Sequence, residues 1–217
     1  MKKISFRTTG FILIVLFICA TLTYAQELKP IKLLNPQKDG GKPLMQVLNE
    51  RQSQREYSDK ELPLQVLSNM LWAAWGINRP DSGKRTAPSA VNMQEIDVYV
   101  SMASGLYLYD AKEHVLQPVL AKDIRALTGT QSYVKDAPVN LVFVADVSKM
   151  GNRTEERITF TSAANTVFIS QNVYLFCASE GLATVVRGLV DKPALAIAMG
   201  LRPDQRVILS QSVGYPK

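Results

Sequence analysis

Arg51, Ser53 and Arg55 alternate within the stretch RQSQREY at residues 51–57, at the end of a predicted helix. Two guanidinium groups with a hydroxyl between them offer a planar fork and an additional donor, which suits a phosphate monoester dianion. A solvated basic helix end would contain the same residues. This segment by itself leaves both interpretations open.

The second candidate segment is RTAPSAVNMQEIDVYV at residues 85–100, where small and turn-forming residues lead directly into an alternating apolar stretch. A turn needs only one or two such residues. Five in succession, from Pro88 to Asn92, indicate a backbone that packs against something other than the chain itself. Ser89 and Asn92 add short hydrogen-bonding side chains. An ordinary loop that enters an edge strand is the alternative.

The third candidate is Glu180-Gly181-Leu182, at the end of a long predicted helix. A glycine at this position is first of all a helix cap. The same turn also leaves backbone donors and acceptors that a ring nitrogen of a flat ligand could bond. The cap and the ligand contact both remain possible from these residues alone.

Other chemistries find little support in the sequence. His114 is the one histidine, and no cysteines, histidines or paired carboxylates stand around it at metal-ligand spacing, so we expect no metal site. A serine hydrolase would have to recruit His114, and the sequence has no Gly-x-Ser-x-Gly turn. Cys177 lies in the apolar run VYLFCA, which predicts a buried and inert thiol.

Residues 1–25 have the pattern of a signal peptide: a basic start, an apolar run at 11–20 and small residues before a cleavage site after Ala25. The apolar run is too short to span a bilayer, which takes about 20 apolar residues. A lipid anchor on Cys19 is the competing fate, but Ile18 stands where a lipoprotein signal has a small residue. We therefore expect an exported protein, periplasmic or secreted, without stable membrane insertion after cleavage.

Charge and composition describe the rest of the chain. Cleavage would remove three basic residues and no acidic one, which lowers the formal net charge from +6 to +3. No basic run with interleaved aromatic residues is present, so we do not expect a nucleic-acid partner. The expected partner is a small-molecule substrate. Residues 26–42 read as an extended N-terminal arm, and residues 43–217 as one domain.

The hydrophobic pattern of this domain predicts an α+β fold, with a central, mostly antiparallel sheet flanked by helices. The predicted helices begin near Pro43, with Leu44, Val47 and Leu48 inward, and at Leu62-Pro63; others cover 122–127, 154–180 and 193–199. The helix at 154–180 is apolar or small around most of its circumference, which predicts a heavily buried central helix. Predicted strands cover 96–102, 106–110, 115–120, 139–145, 183–190 and 207–213, with His114 in a strand region.

The order and spacing of the three segments, with a closing Val-Gly-Tyr-Pro, resemble the FMN-dependent nitroreductase superfamily over about residues 43–216. The stretches LWAAWGINR and GLYLYD, at 71–79 and 105–110, are similar in addition to its thiazoline/oxazoline (SagB-type) dehydrogenase branch. Several residues depart from the family pattern. Ala90 replaces a serine, Glu95 stands where a proline is usual, and only Lys217 could supply the basic C-terminal residue that often contacts the phosphate.

The resemblance implies FMN as cofactor and an intertwined homodimer. It assigns the phosphate, ribityl chain and pyrimidine edge to Arg51, Gln52, Ser53 and Arg55, with Arg55 beside flavin N1 and O2. It sets Pro88, Ser89, Ala90 and Asn92 across the dimer interface against the partner's flavin. It places Glu180 and Gly181 near flavin N5, within reach of a backbone N–H.

The implied activity is transfer of hydride or electrons from a reduced donor, with NAD(P)H as a candidate, through flavin N5 to a small flat acceptor such as a nitroaromatic or quinone. No side chain is required as a catalytic acid or base. Nicotinamide cofactors are scarce outside the cytoplasm, which leaves two alternatives open. One is an exported flavin carrier or sensor without redox turnover, and the other is flavin-dependent dehydrogenation of a peptide or small metabolite.

Overall fold

The computed structural model describes residues 27–217; the predicted signal peptide, with Cys19, lies outside these residues. In the described part, the helices and strands follow one another as β1 (Ile31–Lys32), α1 (Leu44–Glu50), α2 (Leu64–Trp75), β2 (Ile77–Arg79), β3 (Lys84–Arg85), β4 (Ile96–Met102), β5 (Gly105–Asp110), β6 (Val115–Leu120), β7 (Val139–Asp146), α3 (Glu155–Glu180), β8 (Ala183–Arg187), α4 (Lys192–Met199) and β9 (Gln205–Gly214).

Seven of these strands form one antiparallel sheet in the order β1, β6, β5, β4, β7, β9, β8. All eight residues of β7 are buried. Leu141 and Phe143 pack with residues of α3 on one face, and Val142 and Val144 pack with Leu195 of α4 on the other. Because both faces are covered, this strand is an almost continuous apolar run. The α+β prediction is confirmed.

The β4–β5 hairpin is confirmed at the predicted position, with Met102 paired to Gly105. Gly105 has a φ of +145°, and a Cβ at this position would lie 2.5 Å from the carbonyl oxygen of Leu120. Only glycine fits that approach. The hairpin is followed by β6, so that β5, β6 and β1 lie on one side of β4 and β7 lies on the other, in the middle of the sheet.

Helix α3 begins and ends as predicted but is buried on one face only. The side chain of Thr154 accepts a hydrogen bond from Arg157 N at its start, and Gly181, with a φ of 69°, ends it. The buried face packs on α2, β8 and β9. The opposite face exposes Phe160 by 70% and also Val167 and Phe168. The prediction of burial around most of the helix is therefore wrong for a single chain.

Local packing overrides several other predictions. Leu44 and Leu48 are exposed, and only Val47 of α1 is buried, because α1 is short and contacts α3 along one line. The predicted helix at 122–127 is reduced to a 3-10 turn, Arg125–Leu127. Strand β8 ends at Arg187 rather than at residue 190, where its pairing with β9 stops.

The N-terminal arm joins the sheet, since β1 pairs with β6 at the edge. His114 secures this contact from a turn with a φ of 52°, rather than from the predicted strand. Its Nε2 lies 2.7 Å from Ser68 Oγ and 3.0 Å from Leu34 O, and its Nδ1 lies 3.0 Å from the Tyr109 hydroxyl. Burial lowers the pKa of His114. Its role is to fasten the arm to α2 and β5.

The small hairpin of β2 and β3 was not predicted from the sequence. Its strands are too short to show a period of two, and Gly83 supplies its turn with a φ of 61°. No helix within residues 27–217 is both long enough and apolar enough to cross a membrane.

Candidate functional site

A cleft of about 470 Å³ lies where the end of α1, the end of α3 and the edge strand β8 meet. Its walls include Arg51, Gln52 and Gln54 from the first predicted segment, and Gly181 and Leu182 from the third. Clefts of roughly 300–1,000 Å³ are typical of small-molecule and cofactor sites. The fold thus joins two of the three segments that the sequence identified.

The first segment reaches the cleft because it runs along the free edge of β8. Arg51 closes α1 by donating its N–H to Val47 O. Gln54 then donates its N–H to Thr184 O at 2.9 Å, and Tyr57 forms a bridge with Pro216. Buried Tyr57 also donates its hydroxyl to Gln54 O. The segment is therefore held beside the edge of the sheet at Gln54 and at Tyr57.

Gly181 lines the cleft in the left-handed conformation that ends α3. The N–H groups of Gly181 and Leu182 both donate to Cys177 O. A ligand bond from Gly181 would therefore have to share that donor. Cys177 is fully buried beneath the turn, and burial raises the pKa of its thiol. The predicted burial of Cys177 is confirmed, and its lack of reactivity stays a prediction.

Tyr174 is a site residue that the sequence analysis missed. It is 7% exposed and lines the cleft; its hydroxyl lies 2.8 Å from Ser53 Oγ, and the Arg51 guanidinium carbon lies 5.4 Å from the centre of its ring. The sequence spacing could have identified Tyr174, since residues seven apart on a helix share one face. Tyr174 stands two turns before Gly181 on α3.

The segment of Pro88, Ser89, Ala90 and Asn92 lies elsewhere in the single chain. Ala90 donates its N–H to Asn165 Oδ1 at 3.1 Å. Asn165 precedes Gly181 by sixteen residues on α3, about 24 Å at 1.5 Å per residue. The structure therefore does not bring this segment to the cleft of its own chain.

The backbone of this second segment is held in an unfavourable conformation. Val91, Asn92 and Gln94 have φ values of 46°, 57° and 51°. Asparagine adopts this left-handed region comparatively easily, whereas it costs Val91 and Gln94 roughly 1–2 kcal/mol each. The Gln94 side chain stabilises the loop: it donates to Gly83 O and Asn92 Oδ1 and accepts from Arg85 Nε. Val91 is left 81% exposed at the tip. An exposed loop that side-chain hydrogen bonds hold in one conformation is typical of a contact surface.

Glu95, the departure from the family pattern, has a clear structural place. It is completely buried, and its Oε1 accepts a hydrogen bond from Asn165 Nδ2 at 2.8 Å. Asn165 in turn holds the N–H of Ala90. Glu95 therefore supports the loop through Asn165, in a role that a proline side chain could not fill.

Comparison with known proteins decides the family. The model of the nitroreductase family matches residues 48–215, most of the chain. The chain belongs to the nitroreductase family. As a nitroreductase it is an oxidoreductase, of a class that uses flavin, and both the predicted family and the predicted fold are confirmed.

Individual relatives agree with this assignment. A nitroreductase homologue of Methanocaldococcus jannaschii is 30% identical over 155 residues, 67% of this chain and 78% of that protein. The crystal structure of a nitroreductase homologue from Ralstonia eutropha is 43% identical, with a TM-score of 0.84 over 88% of this chain and 90% of that one. The E. coli microcin synthetase McbBCD complex shares the fold at 19% identity, with a TM-score of 0.67 over 96% of this chain and 85% of that one.

The remaining predicted site residues of this nitroreductase lie beside the cleft rather than in its wall. Ser53, Arg55 and Glu180 are exposed and are not among the residues that line the cleft. Lys217 lines a different cleft, of about 990 Å³, with Arg125 and Lys135. The flavin contacts predicted for Ser53, Arg55 and Glu180 stay predictions, and a phosphate contact from Lys217 finds no support in this chain.

Proposed function

We propose that this nitroreductase uses FMN, held in the cleft between residues 51–54 and Gly181, and transfers hydride or electrons from a reduced donor to a small flat acceptor. The observation that carries the proposal is the meeting of Arg51 and Gln52 with Gly181 in one cleft of suitable volume. Among the described residues, Arg51 forms no salt bridge, so its guanidinium is available to an anion.

The donor set of the cleft fits a flavin mononucleotide. Arg51 supplies a planar cation for the phosphate, and Gln52 and Gln54 supply amides that can donate to or accept from the ribityl chain and the pyrimidine edge. Lys42 also reaches the cleft but is paired with Glu50 at 2.7 Å. These residues bind and orient the cofactor.

Bound flavin supplies the redox centre, which accepts and releases hydride at N5. The protein contributes position and electrostatics. The Cys177 thiol is buried and protonated, so it does not act as a nucleophile. The left-handed turn at Gly181 brings the backbone close to the cleft without a side chain in between. No acid or base on the chain is needed for this chemistry.

We also propose that two copies of the chain form the working unit. The exposed residues Phe160, Val167 and Phe168 form an apolar strip at helical spacing on α3, and Leu44 and Met45 are exposed on α1. The loop at 88–92 is exposed at its tip, held by hydrogen bonds at Ala90 and Asn92, and remote from the cleft of its own chain. A second copy would cover the strip and would place this loop near the neighbouring cleft.

The proposed cofactor and reaction can be tested with the purified protein. We expect a yellow protein, or one that becomes yellow on addition of FMN, and bleaching of the flavin absorbance when NADH or NADPH is added anaerobically. Reoxidation by a nitroaromatic or a quinone would complete the cycle. A protein that fails to bind FMN contradicts the proposal. Bound flavin that neither nicotinamide reduces would favour another donor or the carrier function.

A further inference from the structure

Tyr174 connects the edge strand β8 with the first segment, beside the cleft that its own side chain lines. Its hydroxyl accepts a hydrogen bond from Val186 N at 3.0 Å and lies 2.8 Å from Ser53 Oγ, and its ring lies under the Arg51 guanidinium. Strand β8 pairs with β9 on one side only, so the Val186 N–H on the free edge has no strand partner. A helix side chain thus satisfies an edge-strand donor and simultaneously contacts the first segment.

The protons of this contact can be counted. A backbone N–H can only donate, so the Tyr174 oxygen is the acceptor from Val186. Tyr174 and Ser53 then have one proton each, and the contact between them uses one of the two. Because Tyr174 is nearly buried and Ser53 is exposed, the favoured direction is from Tyr174 to Ser53. The Ser53 proton is left to be donated to another group.

The chain of donors strengthens that last hydrogen bond. Each hydrogen bond polarises the next one when donors and acceptors follow in sequence. Val186 N–H, Tyr174 O–H and Ser53 O–H form such a sequence, and it runs from the edge strand toward the segment that forms the cleft wall. An acceptor oxygen is the chemistry that the exposed end recognises.

We propose that Tyr174 is a positioning residue of the flavin site: its hydroxyl orients Ser53 as a donor toward a flavin oxygen, and its ring supports Arg51. The inference rests on the proposed flavin function. It assigns to α3 a role in binding that does not involve contact with the reacting atoms.

Two variants separate the parts of this arrangement. Tyr174→Phe keeps the ring under Arg51 and removes only the hydroxyl. Ser53→Ala removes the last hydroxyl of the hydrogen-bonded series. Tyr99→Phe is the matched control, because Tyr99 is 6% exposed, belongs to the hydrophobic cluster on the opposite face of the sheet and bonds Gln205 through its hydroxyl. Each variant is measured for FMN and riboflavin affinity and for hydrogen exchange at the Val186 amide.

We expect Tyr174→Phe to weaken FMN binding roughly three- to tenfold, the size of one net hydrogen bond. The double variant should bind FMN no more weakly than Ser53→Ala alone, because both changes act through one donor. The Val186 amide should exchange faster in Tyr174→Phe than in the wild type, and Ser53→Ala and Tyr99→Phe should leave it protected. A loss for FMN but not riboflavin would identify the phosphate as the acceptor, and an equal loss for both would identify the ribityl chain or the ring.

The outcomes that overturn the inference are distinct from failure of the proposed function. Wild-type protein that binds no flavin overturns the proposed function and this inference with it. Wild-type binding with unchanged flavin affinity in Tyr174→Phe overturns the inference alone. Unchanged exchange at Val186 in that variant, or flavin losses that add up in the double variant, overturns the hydrogen-bonded chain itself.

Discussion

At the scale of single residues, Arg51 is the clearest anion ligand of the cleft. Its guanidinium lies over the Tyr174 ring at the cleft wall, and it is free of salt bridges within residues 27–217. Replacement by alanine should remove a charge-assisted contact of about 1.5–3 kcal/mol. We therefore expect Arg51→Ala to weaken FMN binding at least tenfold, measured by quenching of flavin fluorescence.

A charge-matched control accompanies this measurement. Lys112→Ala removes the same charge from an exposed turn between β5 and β6, at the other end of the sheet from β8. Its affinity for FMN should equal that of the wild type. Equal affinities for the wild type and Arg51→Ala would refute the assignment of Arg51 to the phosphate.

Arg187 raises a different residue-scale question, because it is a cation buried without a carboxylate. It is 4% exposed, and only its Nη2 has a protein partner among the described residues, Asn140 Oδ1 at 3.0 Å. Burial lowers the pKa of this guanidinium. A buried charge is stabilising only when it is well paired.

We expect Arg187→Met to be as stable as the wild type or more stable in urea unfolding. Methionine replaces the apolar length of the side chain without the charge, and Asn140 Oδ1 keeps its bond from Ser212 Oγ. Arg187→Ala should be destabilised through the cavity it leaves. A loss of more than about 2 kcal/mol in the methionine variant would contradict the view that the Arg187 charge is poorly compensated.

At the scale of elements, the loop at 88–94 depends on side chains from other parts of the chain. The left-handed conformations of Val91 and Gln94 are unfavourable by themselves, and Asn165 of α3 bonds both Ala90 N and the Glu95 carboxylate. Glu95 therefore links the entry of β4 to the long helix. The loop conformation is a consequence of this packing rather than of local preference.

Glu95→Ala should leave the buried Asn165 Nδ2 without a partner and cost about 1–3 kcal/mol of unfolding free energy. Glu95→Gln keeps an acceptor oxygen and should lose clearly less stability. Urea unfolding of both variants provides the measurement. Equal stability of Glu95→Ala and the wild type would contradict the role given to Glu95.

At the scale of the whole molecule, the apolar strip on α3 predicts the oligomeric state. We expect a dimer by light scattering, and Val167→Asp should shift it toward the monomer and weaken FMN binding. Both effects follow because a charge in the strip opposes burial against a second copy. The prediction fails if the wild-type protein is monomeric.

Ile197→Asp is the matched control for this experiment. Ile197 is also an exposed apolar residue, 81% exposed, and it lies on α4 across the sheet from α3. It should leave both the oligomeric state and FMN affinity unchanged. A dimer that is lost equally in both variants would place the contact surface elsewhere.

Local patterns were enough for much of the fold. Alternating apolar residues predicted the β4–β5 hairpin, and the continuous run at 139–145 predicted a doubly covered strand. The glycine at 181 predicted the end of α3. Patterns failed where long-range contacts decide, as for β2 and β3, which are too short to show a period, and for the outward positions of Leu44 and Leu48.

The sequence by itself determined the family, the main secondary structure and the candidate residues Arg51, Gln52 and Gly181, because these follow from residue type, spacing and short-range geometry. Only the tertiary structure decided which segments meet. Two stretches more than a hundred residues apart form the cleft because the first runs along the free edge of β8, and Tyr174 enters the site because its hydroxyl reaches Val186 and Ser53 from α3. Such proximity depends on strand pairing and helix packing, which no local pattern encodes.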